Sequence, residues 1–244
     1  MRIFLIGTLL AAIGAVAGAA PAAASADTFP TPEGTLTLTF LGHGTLRFSL
    51  GAAEVYVDPV SRYGNFAAMP KADLVLVTHQ HGDHLDAAAI EALRKPGTVV
   101  VATKACTEKL PGATVLANGE SGTWAGVRVE AVPAYNLEHK RPDGTPFHPR
   151  GDGNGYVLTL GGKRIYVAGD TENIPEMALL KDIDIAFLPM NLPYTMTPEM
   201  AAAAARAFRP KILYPYHFGD TDPQKLVDLL KDLPAVEVRV RDLK

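Results

Sequence analysis

Period-two alternation dominates the first third of the chain. Thr35-Leu36-Thr37-Leu38-Thr39-Phe40-Leu41 puts an apolar side chain at every second position, which predicts a strand with one buried face. The pattern breaks at Gly42-His43-Gly44 and resumes from Thr45 to Leu50. After a turn at Gly51 it returns in Glu54-Val55-Tyr56-Val57, which ends at Asp58-Pro59. Short strands joined by glycine turns predict an antiparallel meander. From Ala72 to Val77 the apolar run is continuous, as in a strand buried on both faces. Ala87 to Arg94 carries good helix formers at helical spacing.

The second half reads similarly. Thr98 to Ala102 and Val127 to Val132 are predicted strands, with a turn-rich stretch from Val115 to Ala125 between them. A loop rich in Pro, Gly and charge runs from Pro133 to Asn154. Tyr156–Leu160 and Lys163–Ala168 flank Gly161-Gly162, a strong hairpin signal. A short helix is expected over Ile174–Lys181 and a strand over Ile183–Pro189. Thr197-Pro198 opens a helix that runs to Phe208. Ile212–Tyr216 reads as a strand, Asp222-Pro223 opens a helix to Leu230, and Val236–Val240 is the last strand. Strands followed by alternating strands and helices, twice over, make this an α/β chain. With no linker and no low-complexity segment, residues 27–244 read as one domain.

Residues 1–26 read as a cleaved export signal. Arg2 is the charged start, Ile3 to Ala20 is apolar and small, and Ala24-Ser25-Ala26 fits the cleavage pattern before Asp27. This reading places the mature protein in the periplasm or outside the cell, with no stable membrane insertion after removal. The whole chain carries a net charge of −3. Losing Arg2 makes it one unit more negative, so there is no basic footprint for nucleic acid. A small-molecule partner fits better. The single cysteine, Cys106, rules out an internal disulfide and reads as a buried thiol. Oligomeric state leaves no mark on the sequence.

The chemistry concentrates in Thr78-His79-Gln80-His81-Gly82-Asp83-His84-Leu85-Asp86, between a buried strand and a helix. Three of the seven histidines of the chain fall in this one loop. In extended chain His79 and His81 leave on the same side and suit one cation. Asp83 and His84 point elsewhere and suit a second, while Gly82 is expected to permit a sharp turn. Imidazole with carboxylate favours zinc, with manganese or iron as the alternatives.

His79-Gln80-His81-Gly82-Asp83-His84 resembles the HxHxDH signature of the metallo-β-lactamase-fold hydrolases. The resemblance implies a four-layer αββα sandwich with a one- or two-metal site on one edge and a metal-bound water or hydroxide as nucleophile. It extends to Gly169-Asp170-Thr171, whose Asp would bridge two metals, and to Tyr214-Pro215-Tyr216-His217, which would give the last His. The family usually has a His shortly after the strand at Val127–Val132. Here Ala134-Tyr135-Asn136 stands instead, and the candidates are His148, His139 and Asn136. The order of segments resembles a branch in which Tyr-Asn replaces that His and Phe-His-Pro follows, which favours His148. That branch includes ascorbate-6-phosphate lactonase, and the likeness spans nearly all of the mature chain.

The expected metal ligands are therefore His79, His81, Asp83, His84, His148, Asp170 and His217. Asp83 and Asp170 are the expected catalytic carboxylates, which would orient the nucleophile or carry a proton. His43 and Asp58 fall near the site, as contacts or as supports. The expected activity is hydrolysis of an ester, lactone or phosphodiester. The rival is a metal-binding protein of the same fold with a sensing or structural role.

Overall fold

A computed structural model describes residues 25–244. The export signal therefore lies outside the described residues, apart from Ser25 and Ala26. The first sheet contains seven strands in sequence order: β1 (Ser25–Thr31), β2 (Gly34–Gly42), β3 (Thr45–Leu50), β4 (Ala53–Val57), β5 (Leu74–Leu76), β6 (Val99–Ala102) and β7 (Thr114–Val115). The second also has seven: β8 (Ser121–Trp124), β9 (Val127–Ala134), β10 (Gly153–Leu160), β11 (Lys163–Val167), β12 (Ile185–Pro189), β13 (Ile212–Tyr216) and β14 (Glu237–Val238). In each sheet the first four strands form an antiparallel meander and the last four run parallel. The same unit is thus built twice.

Alternation decides what each face does. Leu36, Leu38 and Phe40 of β2 are buried in a core shared with Val129, Leu158, Ile165 and Val167 of the second sheet. Leu74 and Leu76 join that inner core. Val75 and Val77, one residue out of phase, pack instead with Ala89, Ile90 and Leu93 of helix α1 (Ala87–Leu93). A strand buried on both faces needs such a continuous apolar run. Asp86 caps α1, accepting from Ala88 N at 2.9 Å and Ala89 N at 3.1 Å. Helix α2 (Pro198–Phe208) covers the outer face of the second sheet, with Phe208 edge-on to Tyr166 of β11. Leu226 of α3 (Gln224–Leu229) adds to the same core. The layers are α, β, β, α.

Some elements differ from expectation. β1 includes Ser25 and Ala26 at its start, residues assigned above to the export signal. The turn-rich stretch contains β8, and β7 closes at Val115 where it begins. Both are too short for an alternation to register. The helix expected over Ile174–Lys181 is a 3₁₀ segment, Pro175–Leu179. Gly161 and Gly162 both have positive φ, 56° and 74°, as the two-residue hairpin demands.

Candidate metal centre

The carboxyl ends of strands from both sheets meet along one edge. β5 delivers Thr78 and His79, and the turn after it delivers His81, Asp83 and His84. That turn closes through His84 N and Leu85 N, which donate to the His81 carbonyl at 3.1 and 2.8 Å. Gly82 does not have positive φ there, and a Cβ on it would meet nothing within 4 Å. The sharp turn expected of this glycine is made by backbone hydrogen bonds instead. The second sheet contributes Asp170 after β11, His217 after β13, and His148 from the loop between β9 and β10.

These side chains gather in three overlapping groups, each with ligand atoms within 4.8 Å of one another: His79, His81 and His148; His79, His84 and Asp170; and His43, Asp83, His84 and His217. Asp170 lies between them. Its Oδ2 is 3.2 Å from His148 Nε2 and 3.8 Å from His79 Nε2, and its Oδ1 is 3.4 Å from His84 Nε2 and 3.7 Å from His217 Nε2. Asp83 Oδ2 is 3.3 Å from His43 Nε2 and 3.6 Å from His217 Nε2. Of the two roles open to His43, contact or support, the structure favours contact, since it joins the cluster directly. His139 lies apart, its Nδ1 2.8 Å from Glu172 Oε1. Asn136 commits its amide to His148, Glu172 and the Tyr194 carbonyl.

Buried Asp58 organises the first half of the site. Its Oδ2 accepts from His84 Nδ1 at 2.7 Å and from Thr78 Oγ1 at 2.6 Å, and its Oδ1 accepts from Thr78 N at 2.8 Å. Because the carboxylate only accepts, the Thr78 hydroxyl proton points to it. The Thr78 oxygen is then free to accept from His79 Nδ1, 3.0 Å away. One carboxylate thus orients both rings so that Nε2 of His84 and of His79 faces the cluster. Backbone strain accompanies this placement: His43, Asp58 and His217 have φ of 54°, 44° and 45°. Left-handed backbone at such residues is uncommon and clusters at functional sites.

The electrostatics follow from burial among mixed charges. Burial holds His79 well below the ordinary imidazole value, and His84, His148 and His81 around it add to the effect against Asp170. For His84, burial is outweighed by the carboxylates of Asp170, Asp58 and Asp83, and its pKa is pushed up to about 9. Burial would raise Asp170, but the surrounding His217, His84, His148 and His79 hold it well below the carboxylate range. Asp83 is lowered against its own burial by the nearby His217 ring and by its hydrogen bond with His43.

The donor set suits divalent cations. His84 Nε2, Asp170 Oδ1 and His217 Nε2 are buried without a hydrogen-bond partner among the described residues. Unpartnered buried polar atoms are costly, and a shared cation would engage all three. Only imidazole nitrogens and carboxylate oxygens converge there, and Cys106 packs in the α1 layer. Such a set fits zinc, manganese or iron. A cavity of about 390 Å³ opens over the cluster, lined by His81, Asp83, His148, Asp170 and His217, and by Arg141, Phe147, Asn191 and Tyr194.

Comparison with known proteins agrees with this construction. Residues 37–217 match the model of the beta-lactamase superfamily domain. A UPF0173 metal-dependent hydrolase of Thermococcus onnurineus is 34% identical over 216 residues, covering 81% of this chain and 93% of that protein. One from Thermus thermophilus is 37% identical over 194 residues, covering 75% and 84%. Among solved structures, one described as a metal-dependent hydrolase of Parabacteroides distasonis superposes with a TM-score of 0.86 at 51% identity, over 91% of this chain and all of that one. The Ignicoccus hospitalis metallo hydrolase Igni18, at 24% identity and a TM-score of 0.68 over 85% of this chain and 95% of that one, shares the fold. The chain belongs to the beta-lactamase superfamily, among its UPF0173 metal-dependent hydrolases.

Proposed function

We propose that this chain is an exported hydrolase holding two divalent cations, zinc before manganese or iron, and acting on a small ester, lactone or phosphodiester. The observation that carries the reading is the pair of ligand groups joined through Asp170 on the floor of one cavity. His79, His81 and His148 would hold one cation; Asp83, His84 and His217, with His43 beside them, would hold the other. Asp170 would serve both. Cations bound there would supply Lewis-acid polarisation and a water of lowered pKa.

The chain's own residues divide the remaining work. The Asp83 side chain is 49% exposed whereas that of Asp170 is 4% exposed. Asp83 therefore suits proton movement toward a leaving group, while Asp170 suits holding the cluster together. Phe147 and Tyr194 meet edge-on, ring centroids 5.0 Å apart, and give the cavity an apolar wall. Arg141, over the Phe147 ring at 5.2 Å, is the one Arg or Lys lining that cavity and suits a substrate with an anionic group. The volume fits a small molecule.

The test is metal analysis of the purified protein, then a panel of ester, lactone and phosphodiester substrates before and after chelation. Expected are about two metals per chain, and hydrolysis that chelation abolishes and zinc restores. Metal binding with no turnover on any class would count against the hydrolase reading. Export is tested separately by sequencing the amino terminus of protein from the native host's periplasm or medium. Asp27 is expected at the start; an intact Met1 in a soluble cytosolic pool would exclude it.

A further inference from the structure

Glu172 lies two residues past Asp170 and is buried, yet its atoms belong to none of the ligand groups. A buried carboxylate needs donors, and this one has them. Leu137 N and Glu138 N donate to Oε2, both at 2.8 Å. His139 N donates to Oε1 at 2.6 Å, and Asn136 Nδ2 donates to Oε1 at 3.0 Å. The turn that starts the long β9–β10 loop is wrapped around one carboxylate.

Asn136 carries the effect onward. Its Nδ2 also donates to the Tyr194 carbonyl at 2.9 Å. With the amide nitrogen committed to two groups that only accept, Oδ1 must face the other way. There it accepts from His148 N at 2.9 Å and lies 2.6 Å from His148 Nδ1. An acceptor at that distance requires the proton on Nδ1. Nε2 is then left facing Asp170 Oδ2, 3.2 Å away, beside His79 and His81, where a bound cation would take its lone pair. Metal-binding imidazoles are commonly fixed by such a partner on the far nitrogen.

We infer that Glu172 is a positioning residue of the metal centre, setting the tautomer and orientation of the His148 ring through Asn136. The inference rests on the reading of His148 as a ligand, but the relay itself is measurable without metal. Long-range proton–nitrogen NMR spectra of ¹⁵N-labelled, metal-free protein at pH 8 report which His148 nitrogen is protonated. The wild type should show a protonated Nδ1 held by Asn136, whatever Nε2 carries opposite Asp170. An Nδ1 without its proton would overturn the inference with no variant needed.

Glu172→Gln replaces an acceptor-only group with one that is half donor, and should leave His148 Nδ1 without its proton in part of the population. Zinc affinity at one of the two sites, read by competition with a chromophoric chelator, should fall about 10–100-fold. A change at His148 Nδ1 in a Glu172→Gln protein whose amide spectrum otherwise matches wild type is a readout that a purely structural loss would not give. A Glu172→Gln protein with His148 Nδ1 still fully protonated and affinity within about twofold of wild type would sink the proposal. If the wild type bound no zinc at all, the metal reading would fail, and the metal-free spectra would still decide the role of Glu172.

Discussion

The two halves of this molecule repeat one architecture but supply the site in opposite ways. In the first half four candidate side chains, His79, His81, Asp83 and His84, leave a single turn after β5. In the second half His148, Asp170 and His217 come from three connections separated by many residues. The support differs too. Asp58, at the end of β4, holds His84 directly and His79 through Thr78. Asp170, after the corresponding strand β11, enters the cluster itself, and Glu172 just beyond it takes over the supporting role through Asn136. A compact motif concentrates ligands but needs a carboxylate behind it. A dispersed set gains reach and needs long-range hydrogen bonds to hold each piece.

The largest expected effect tests the asymmetry between these carboxylates. Asp170→Ala removes the group shared by both halves and should take metal content below one per chain. Lewis-acid assistance of several kcal/mol is then lost, roughly a thousandfold or more in kcat/KM. Asp58→Asn should be milder, about 10–100-fold in metal affinity, because it misdirects two ligands without removing one. Equal effects in metal titrations of the two variants would erase the distinction between ligand and support.

A second comparison stays within the second half. His148→Ala should lose about one metal per chain. Asn136→Ala should keep the ligand but weaken it, since the acceptor on His148 Nδ1 is gone. His139→Ala should leave the stoichiometry unchanged. Metal loss in the His139 variant, with full content in the His148 variant, would move the site to the start of the loop.

What the sequence made legible follows the same division. The turn after β5 could be read because its ligands are local and its flanking strand and helix each carry a clear period. Asp170 and His217 became readable only by resemblance, since an isolated Asp or His after a strand carries no signal of its own. Glu172 illustrates the limit, whereas resemblance had already placed Asp58 near the site. A lone Glu in a sequence reads as solvated charge, and its burial depends on a partner 36 residues away, Asn136. β7 and β8 escaped because two to four residues cannot establish an alternation.

Backbone fit gives a smaller and purely structural test. Gly169 has φ +67°, and a Cβ there would stand 2.7 Å from the Asn154 carbonyl. Gly169→Ala should destabilise the fold by about 1–3 kcal/mol and displace Asp170 beside it. Gly82→Ala, in the metal-rich turn of the first half, meets nothing and should cost less than about 1 kcal/mol. Thermal unfolding of the two variants compares how tightly each half constrains its own loop.

A further modest effect concerns the seam between the halves. Asp27 on β1 of the first sheet accepts from Tyr214 Oη of β13 in the second, and from Arg241 Nη2 at 2.7 Å, with Arg239 Nη1 at 3.4 Å. Its burial raises the carboxyl pKa, but Tyr214 and Arg241 outweigh that and the net shift is downward. A carboxylate whose folded pKa is depressed stabilises the fold above its unfolded value, near 4, and loses that contribution as pH falls through the folded value. Asp27→Ala should therefore cost about 1 kcal/mol at pH 7, roughly 2–4 °C in Tm for a chain of this size. The gap between variant and wild type should narrow below pH 4. Leu76→Ala, in the apolar core shared by the two sheets, should cost about 2–5 kcal/mol with no such pH dependence. A gap for Asp27→Ala that stayed constant from pH 7 to pH 3 would mean that packing at β1, and not its charge, joins the two halves there.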